Sequence, residues 1–269
     1  ANYMQGVDIR MNALGLGRKV GENGAFGLSI MALDFGEIQV TTDDQPEGTG
    51  ATYSPNFFNI GVSYSHIFEN KVSVGITVRG VSQSLTDIAA FGLAIDAGIQ
   101  YVTGPNDNFK IGISLRNVGS PMRFGGEGLA TQRPSPNRSA YELTYNTRAA
   151  EFSMPSMLNI GVAYDLLPFE KHRISLMGNF TSHSFSRDQL GAGVEYALAE
   201  QFKVRAAYKY DLGSEQDPAQ PLYSGLSAGA SIDFPLSREE KNTRIGLDYA
   251  YRATRIYNGT HNISLRFSL

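Results

Sequence analysis

The feature that most limits what this chain can fold into is an alternation of period two that recurs along nearly its whole length. In 58–66 the apolar residues Phe58, Ile60, Val62 and Tyr64 alternate with Asn59, Gly61, Ser63 and Ser65. Val72, Val74, Ile76 and Val78 alternate in the same way with Ser73, Gly75, Thr77 and Arg79. So do Phe109, Ile111, Ile113 and Leu115 with Lys110, Gly112, Ser114 and Arg116. Successive side chains of a strand point to opposite faces, so each segment has one greasy face and one small or polar face. Thirteen such segments are present, near 3–17, 24–40, 57–68, 72–84, 91–103, 109–117, 156–165, 172–181, 188–198, 202–211, 223–234, 243–252 and 261–269.

The connections sort by parity. In the amino-terminal half short ones (19–23, 69–71, 104–108) alternate with longer ones (41–56, 85–90, 118–155); after that the contrast weakens. Tight turns at one rim and long loops at the other are the asymmetry of a bacterial outer-membrane barrel, and a soluble sandwich has no reason to show it. Closure has a physical cause: where no water reaches, every backbone N–H and C=O must be paired, and an open sheet with this many apolar faces would aggregate. The fold class expected is therefore all-β, a single transmembrane antiparallel β-barrel spanning 1–269, with extracellular loops near 41–56, 85–90, 118–155, 182–187, 212–222 and 253–260.

Composition agrees. Only 18% of the residues are charged, against about a quarter in a soluble domain. The longest stretch free of Asp, Glu, Lys and Arg, 48–68, is broken by Pro55, Asn56 and Asn59, which rules out helical spans. With no Cys there are no disulfides, zinc thiolates or cysteine nucleophiles. A net charge of -3 leaves no electrostatic footprint for nucleic acid.

Parity also bears on the terminus. If Leu269 ends on the periplasmic side, counting back puts the start of the first segment at the extracellular rim. A single-chain barrel of even strand number has both ends periplasmic. The expectation is thus thirteen visible strands of fourteen, with an amino-terminal segment missing upstream of Ala1.

The polar face identifies the lumen. Asp8, Arg10, Arg79, Asp96, Arg116, Glu195, Lys203, Arg205, Arg244, Asp248 and Arg266 are assigned to it, because an Arg or Lys facing lipid at mid-bilayer costs about 2 to 4 kcal/mol. Both signs occur, so pairing is the simplest role for them. Tyr64, Tyr101, Tyr164, Tyr196, Tyr208 and Tyr249 sit at or near segment ends, where an amphipathic ring suits the headgroup zone.

Chemistry finds little support. His66, His172, His183 and His261 lie in or beside different connections without partners at ligand spacing, so no metal is expected. Asp43-Asp44 and Glu239-Glu240 read as solvated loop charge, and no acid can be assigned to orient a Ser182-His183 pair. No enzyme and no cofactor are expected. The loop 118–155 is far longer than a connection needs, and it carries Met122, Phe124, Leu129, Tyr141, Leu143, Tyr145 and Phe152. Those side chains must be buried, either in the barrel mouth or against another protein, and they are the candidates for partner contact.

Several phrases carry a resemblance. Gly24-Ala-Phe-Gly-Leu-Ser-Ile, Leu33-Asp-Phe-Gly-Glu-Ile, Gly92-Leu-Ala-Ile-Asp-Ala-Gly and Asn117-Val-Gly-Ser-Pro-Met-Arg-Phe resemble the PorV/PorQ group of Bacteroidetes outer-membrane proteins. Gly193-Val-Glu-Tyr, Gly246-Leu-Asp-Tyr-Ala-Tyr-Arg and Gly259-Thr-His-Asn-Ile-Ser-Leu resemble PorV more than PorQ. The resemblance spans roughly 20–269. It implies a FadL-like barrel of fourteen strands serving type IX secretion. The partners it implies are an SprA-like translocon barrel and the carboxy-terminal domains of exported cargo, with outer-membrane lipid or lipopolysaccharide around the barrel. The family's amino-terminal Asn-Pro-Ala phrase is absent. Two rivals stay open: a FadL-like transporter of hydrophobic small molecules and a general diffusion porin.

Overall fold

The computed structural model describes residues 2–4, 9–69, 71–135, 141–213, 222–235, 243–255 and 258–268. In chain order the strands are β1 (Asn2–Met4), β2 (Ile9–Val20), β3 (Gly24–Asp34), β4 (Ile38–Gln39), β5 (Thr52–Tyr53), β6 (Asn56–Phe68), β7 (Val72–Leu85), β8 (Ile88–Thr103) and β9 (Phe109–Gly119). There follow β10 (Ala130–Pro134), β11 (Glu142–Asn146), β12 (Met157–Phe169), β13 (His172–His183), β14 (Gln189–Leu198), β15 (Phe202–Asp211), β16 (Tyr223–Pro235), β17 (Arg244–Thr254) and β18 (Thr260–Ser268). Fourteen of them close into one barrel, each pairing antiparallel with its neighbours in sequence and β1 closing onto β18. The pairs β4–β5 and β10–β11 are small hairpins inside the two longest loops.

The alternation sets the register. Leu16, Leu28, Val62, Val78 and Ile95 are successive cross-strand partners over five strands, so one apolar row runs along the outside. Leu16 is 59% exposed and Val62 57%, whereas Ser175, Thr181, Ser231 and Asp233 are buried. This inverts the partition of a soluble domain, in which Leu, Ile and Val fill the interior and Asp almost never does. A slip of one residue in any ladder would turn a whole strand's apolar set into the lumen, so the alternation fixes the pairing. Aromatic pairs mark the rims, among them Phe26 with Tyr64 and Phe202 with Phe234.

Three details differ from the sequence reading. The segment 3–17 divides into β1 and β2, and Asn2–Met4 stands in the fourteenth place of the ladder with three pairs to each neighbour. The connection expected at 85–90 is a two-residue turn, because Leu85 and Ile88 still pair and Thr86 takes the left-handed conformation that the turn needs. Arg10 stands directly opposite Asp34, on the same side of β2 as Leu14 and Leu16, not on the lumen side. It lies near the end of its strand, beyond the apolar row, where an outward charge meets headgroups and water.

Candidate functional site: the lumen and its mouth

Inside the barrel the wall is built of small residues over one sector. Gly75 pairs with Gly98, and Gly112 with Gly161, on β7 to β12. A Cβ built on Gly98, Gly112 or Gly161 would meet nothing closer than 3.5 Å, so these positions leave room rather than being forced by contact. Against this wall lies a cavity of about 800 Å³, lined also by Thr77, Gln100, Asn159, Asn179 and Met177 and by the charged Asp96, Lys110 and Arg116. In a barrel the width of the lumen is set by strand number, and what fills it is set by side-chain size. Glycines here therefore convert wall into space.

The rest of the inner wall is cross-linked by charge. Asp165 is reached by Lys110 at 2.7 Å and Arg173 at 3.6 Å, and it accepts a hydrogen bond from Ser175 at 2.5 Å. Arg173 in turn meets Glu195 at 2.8 Å and Glu200 at 2.7 Å, and Glu195 also binds Arg205. Lys203 lies 3.4 Å from Glu200 and 3.5 Å from Asp233, which Arg266 approaches at 2.6 Å. One chain of ion pairs thus runs from β9 through β12, β13, β14, β15 and β16 to β18. Glu200 sits in the turn between β14 and β15, where its hydrogen bond with Arg173 holds its carboxyl below the ordinary carboxylate range.

A second cluster stands nearer the long-loop rim. Arg116 and Asn117 together oppose Asp96, a bulge in β9, and Asn117 adopts a left-handed backbone with φ of 60°. The Asp96 carboxylate accepts the Asn117 backbone N–H at 2.8 Å and the Arg79 guanidinium at 2.7 Å, while Arg79 also donates to the Asn117 side chain. The Asn117 amide then donates to the carbonyl of Pro155 at 2.8 Å, tying the barrel wall to the far end of the long loop.

Above this bulge the loop closes down onto β8. Ala89 pairs with Gly125 and Met122 with Phe152, which extends the wall past the end of β9. Met122 is fully buried; a Cβ on Gly92 would come within 2.6 Å of its Cγ, and Met154 touches the same glycine. Ala90 and Ala94 are buried beside them. Phe124 stacks on Phe152 at 5.4 Å, and Arg123 pairs with Glu151 across the two arms. The mouth is therefore narrowed by an apolar cluster whose close packing rests on Gly92.

The positions expected at the lumen distribute as follows. Arg79, Asp96, Arg116, Glu195, Lys203, Arg205, Arg244, Asp248 and Arg266 share the inward face by register, Arg10 does not, and Asp8 lies outside the described residues. Lys110, Asp165, Arg173 and Asp233 belong to the same network; the alternation already sets Lys110 on the polar face, and the other three were missed by sequence reasoning. Asp233 between Ile232 and Phe234, and Arg173 between His172 and Ile174, obey the same period of two that found the others. The loop candidates divide. Met122 is buried and Phe124, Leu129 and Phe152 are half-buried at the mouth, while Tyr141, Leu143 and Tyr145 are exposed, with Leu143 and Tyr145 on one face of the β10–β11 hairpin.

No protein-family profile matches the chain, and no curated protein is similar to it in sequence. Solved structures are similar in fold. The Pseudomonas putida toluene transporter TodX is 14% identical, covering 97% of this chain and 85% of its own, with a TM-score of 0.55. A TodX deltaS2S3 mutant monoaromatic hydrocarbon channel reaches 0.61 at 15% identity, over 95% of this chain and 82% of that one. The CymD monoaromatic hydrocarbon channel gives 0.55 at 13%, over 97% and 85%. The chain has the antiparallel barrel fold of these channels, and its outward apolar rows are those of a barrel that sits in a membrane.

Proposed function

We propose that this barrel is a passage for hydrophobic small molecules across the outer membrane. The observation that carries the reading is the 800 Å³ cavity held open by the glycines of β7 to β12, with the Met177 thioether on its wall. Thioether side chains adapt to apolar guests of varied shape. The likeness to hydrocarbon channels supports it at the level of fold. The test is uptake of N-phenylnaphthylamine, a neutral hydrophobic fluorophore, by cells producing the barrel. Uptake should exceed that of cells lacking it, and Gly161→Leu, which fills the cavity, should remove the difference. Equal uptake with and without the barrel sinks the reading.

A second reading, a PorV-like component of type IX secretion that binds an SprA-like translocon or cargo carboxy-terminal domains, is favoured by one observation. Tyr141 is 55% exposed, and Leu143 and Tyr145 stand near it on a hairpin whose base is held to the barrel by the Gly128 N–H on the Asp87 carbonyl. Replacing all three by Ser should weaken co-purification with such a partner while leaving dye uptake intact. Unchanged co-purification would count against it.

A further inference from the structure

The carboxylates and cations of the lumen are not exposed alike. The side chains of Asp96, Asp165, Glu195 and Asp233 are 16, 9, 12 and 8% exposed. Each is flanked by two cations, and in each case one cation stands forward of it: Arg116 at 48%, Lys110 at 36%, Arg205 at 41% and Arg266 at 54%. The negative charge is thus sunk into the wall and the positive charge projects into the lumen. Seven cations share five carboxylates in these clusters, so pairing does not cancel the excess. Among the described residues Lys209, Arg244 and Arg252, set against Asp211 and Asp248 on the same inward face, do not reverse it. The whole chain nevertheless carries a net charge of -3, so the positive lumen is a local arrangement and not a reflection of overall composition.

We infer that the lumen binds and prefers small oxyanions and halide over cations. Low-dielectric walls focus the field of the forward guanidinium and ammonium groups along the axis, which raises the local anion concentration. Planar guanidinium forks suit carboxylate, phosphate and sulfonate oxygens. Lys110 and Arg116 bound the open cavity, and the amides of Gln100, Asn159 and Asn179 offer further N–H donors between them. This property is independent of the hydrophobic passage proposed above, because it is read from charge placement and not from the apolar mouth.

The test uses the purified full chain in two measurements. In planar bilayers under a tenfold KCl gradient, the reversal potential should have the sign of chloride preference. The triple substitution Arg116→Glu, Arg205→Glu and Arg266→Glu should reverse that sign, and the single Arg266→Gln should move it toward zero. In detergent at low salt, pyranine, a trisulfonated fluorophore, should bind the barrel and a cationic dye of similar size should not. Arg116→Gln should weaken pyranine binding on the order of tenfold. Retained heat-modifiable migration in gels identifies variants that fold. Cation preference in the wild type, or no pyranine binding at low salt, overturns the inference whether or not the lumen conducts. Neutral-dye uptake retained in Arg266→Gln, whose side chain lies outside the lining of the cavity, while the reversal potential moves toward zero, separates this inference from the passage reading.

Discussion

Arg173 and Glu195 meet at 2.8 Å across the β13–β14 ladder, and the same guanidinium also reaches Asp165 on the strand before and Glu200 in the turn after. One side chain therefore joins three strands and a turn. Arg173→Met removes a cation from two carboxylates that are largely buried. Each keeps one other cation, Lys110 or Arg205, so the cost falls below that of a buried charge left unpaired, at about 2 kcal/mol. Urea unfolding in detergent micelles should show a loss of that order, and a loss under about 1 kcal/mol, as for a surface pair, would contradict the hub.

Acid should dissolve one arm of this hub. Arg173 depresses the Glu200 carboxyl, so the ion pair contributes stability above the carboxyl's unfolded value and loses it as pH falls through the lower folded value. The stability difference between wild type and Glu200→Gln should be present at neutral pH and vanish at acid pH. A difference that grows on acidification would show that the sign is wrong.

Asn117 is the pivot of the bulge in β9. Glycine can hold φ of 60° without strain but lacks the amide that binds Pro155, whereas valine meets both penalties. Asn117→Val should lower the unfolding temperature more than Asn117→Gly. Equal losses would mean that the backbone conformation costs nothing there.

Gly92 lets Met122 seat against β8. Gly92→Val puts side-chain carbon where the Met122 Cγ lies and should release the loop without unfolding the ladder. Limited trypsin digestion should then cut at Arg123 or Arg148 faster than in wild type, while the heat-modifiable barrel persists. An unchanged digestion rate would detach the mouth packing from this glycine.

The turn between β14 and β15 places Ala199 and Glu200 at φ of 52° and 55°. A left-handed backbone costs a residue other than glycine about 1 kcal/mol. Ala199→Gly should therefore raise the unfolding temperature, and a decrease would show that the alanine methyl has a contact the geometry does not assign.

What was legible in the sequence follows from which interactions are local. A period of two is written into each strand separately, so the faces of β6, β7 and β9, and the inward placement of Arg79, Arg205 and Arg266, could be read directly. Arg10 was misread because the apolar Ile9 and Met11 flank it, so the start of β2 alternates in the opposite phase to Leu14 and Leu16, and polarity alone was allowed to choose the side. Charge at a strand end carries little information about facing, since either side is solvated there. The exposure contrast between Asp233 and Arg266 was not legible at all. It depends on how far each side chain reaches past its neighbours on β15 and β17, which no single strand encodes. Nor was the split of the long loop legible, because Met122 and Tyr145 have equal claims to burial until β8 is in place.

The ion-pair chain also bears on how the barrel can enter a bilayer. The β12–β13 hairpin alone would carry Arg173 without Glu195, and the β14–β15 hairpin alone would carry Glu195 without Arg173. Each would expose part of its charge to hydrocarbon, at about 2 to 4 kcal/mol per cation near the midplane. Within each hairpin part of the charge is met, Arg173 by Asp165 and Glu195 by Arg205, but the full set of pairs needs consecutive hairpins at once, and the chain of partners continues to the last strand. Stepwise threading of single hairpins is thereby penalised, and assembly favours a preformed curved sheet that crosses as a unit with its charges already enclosed.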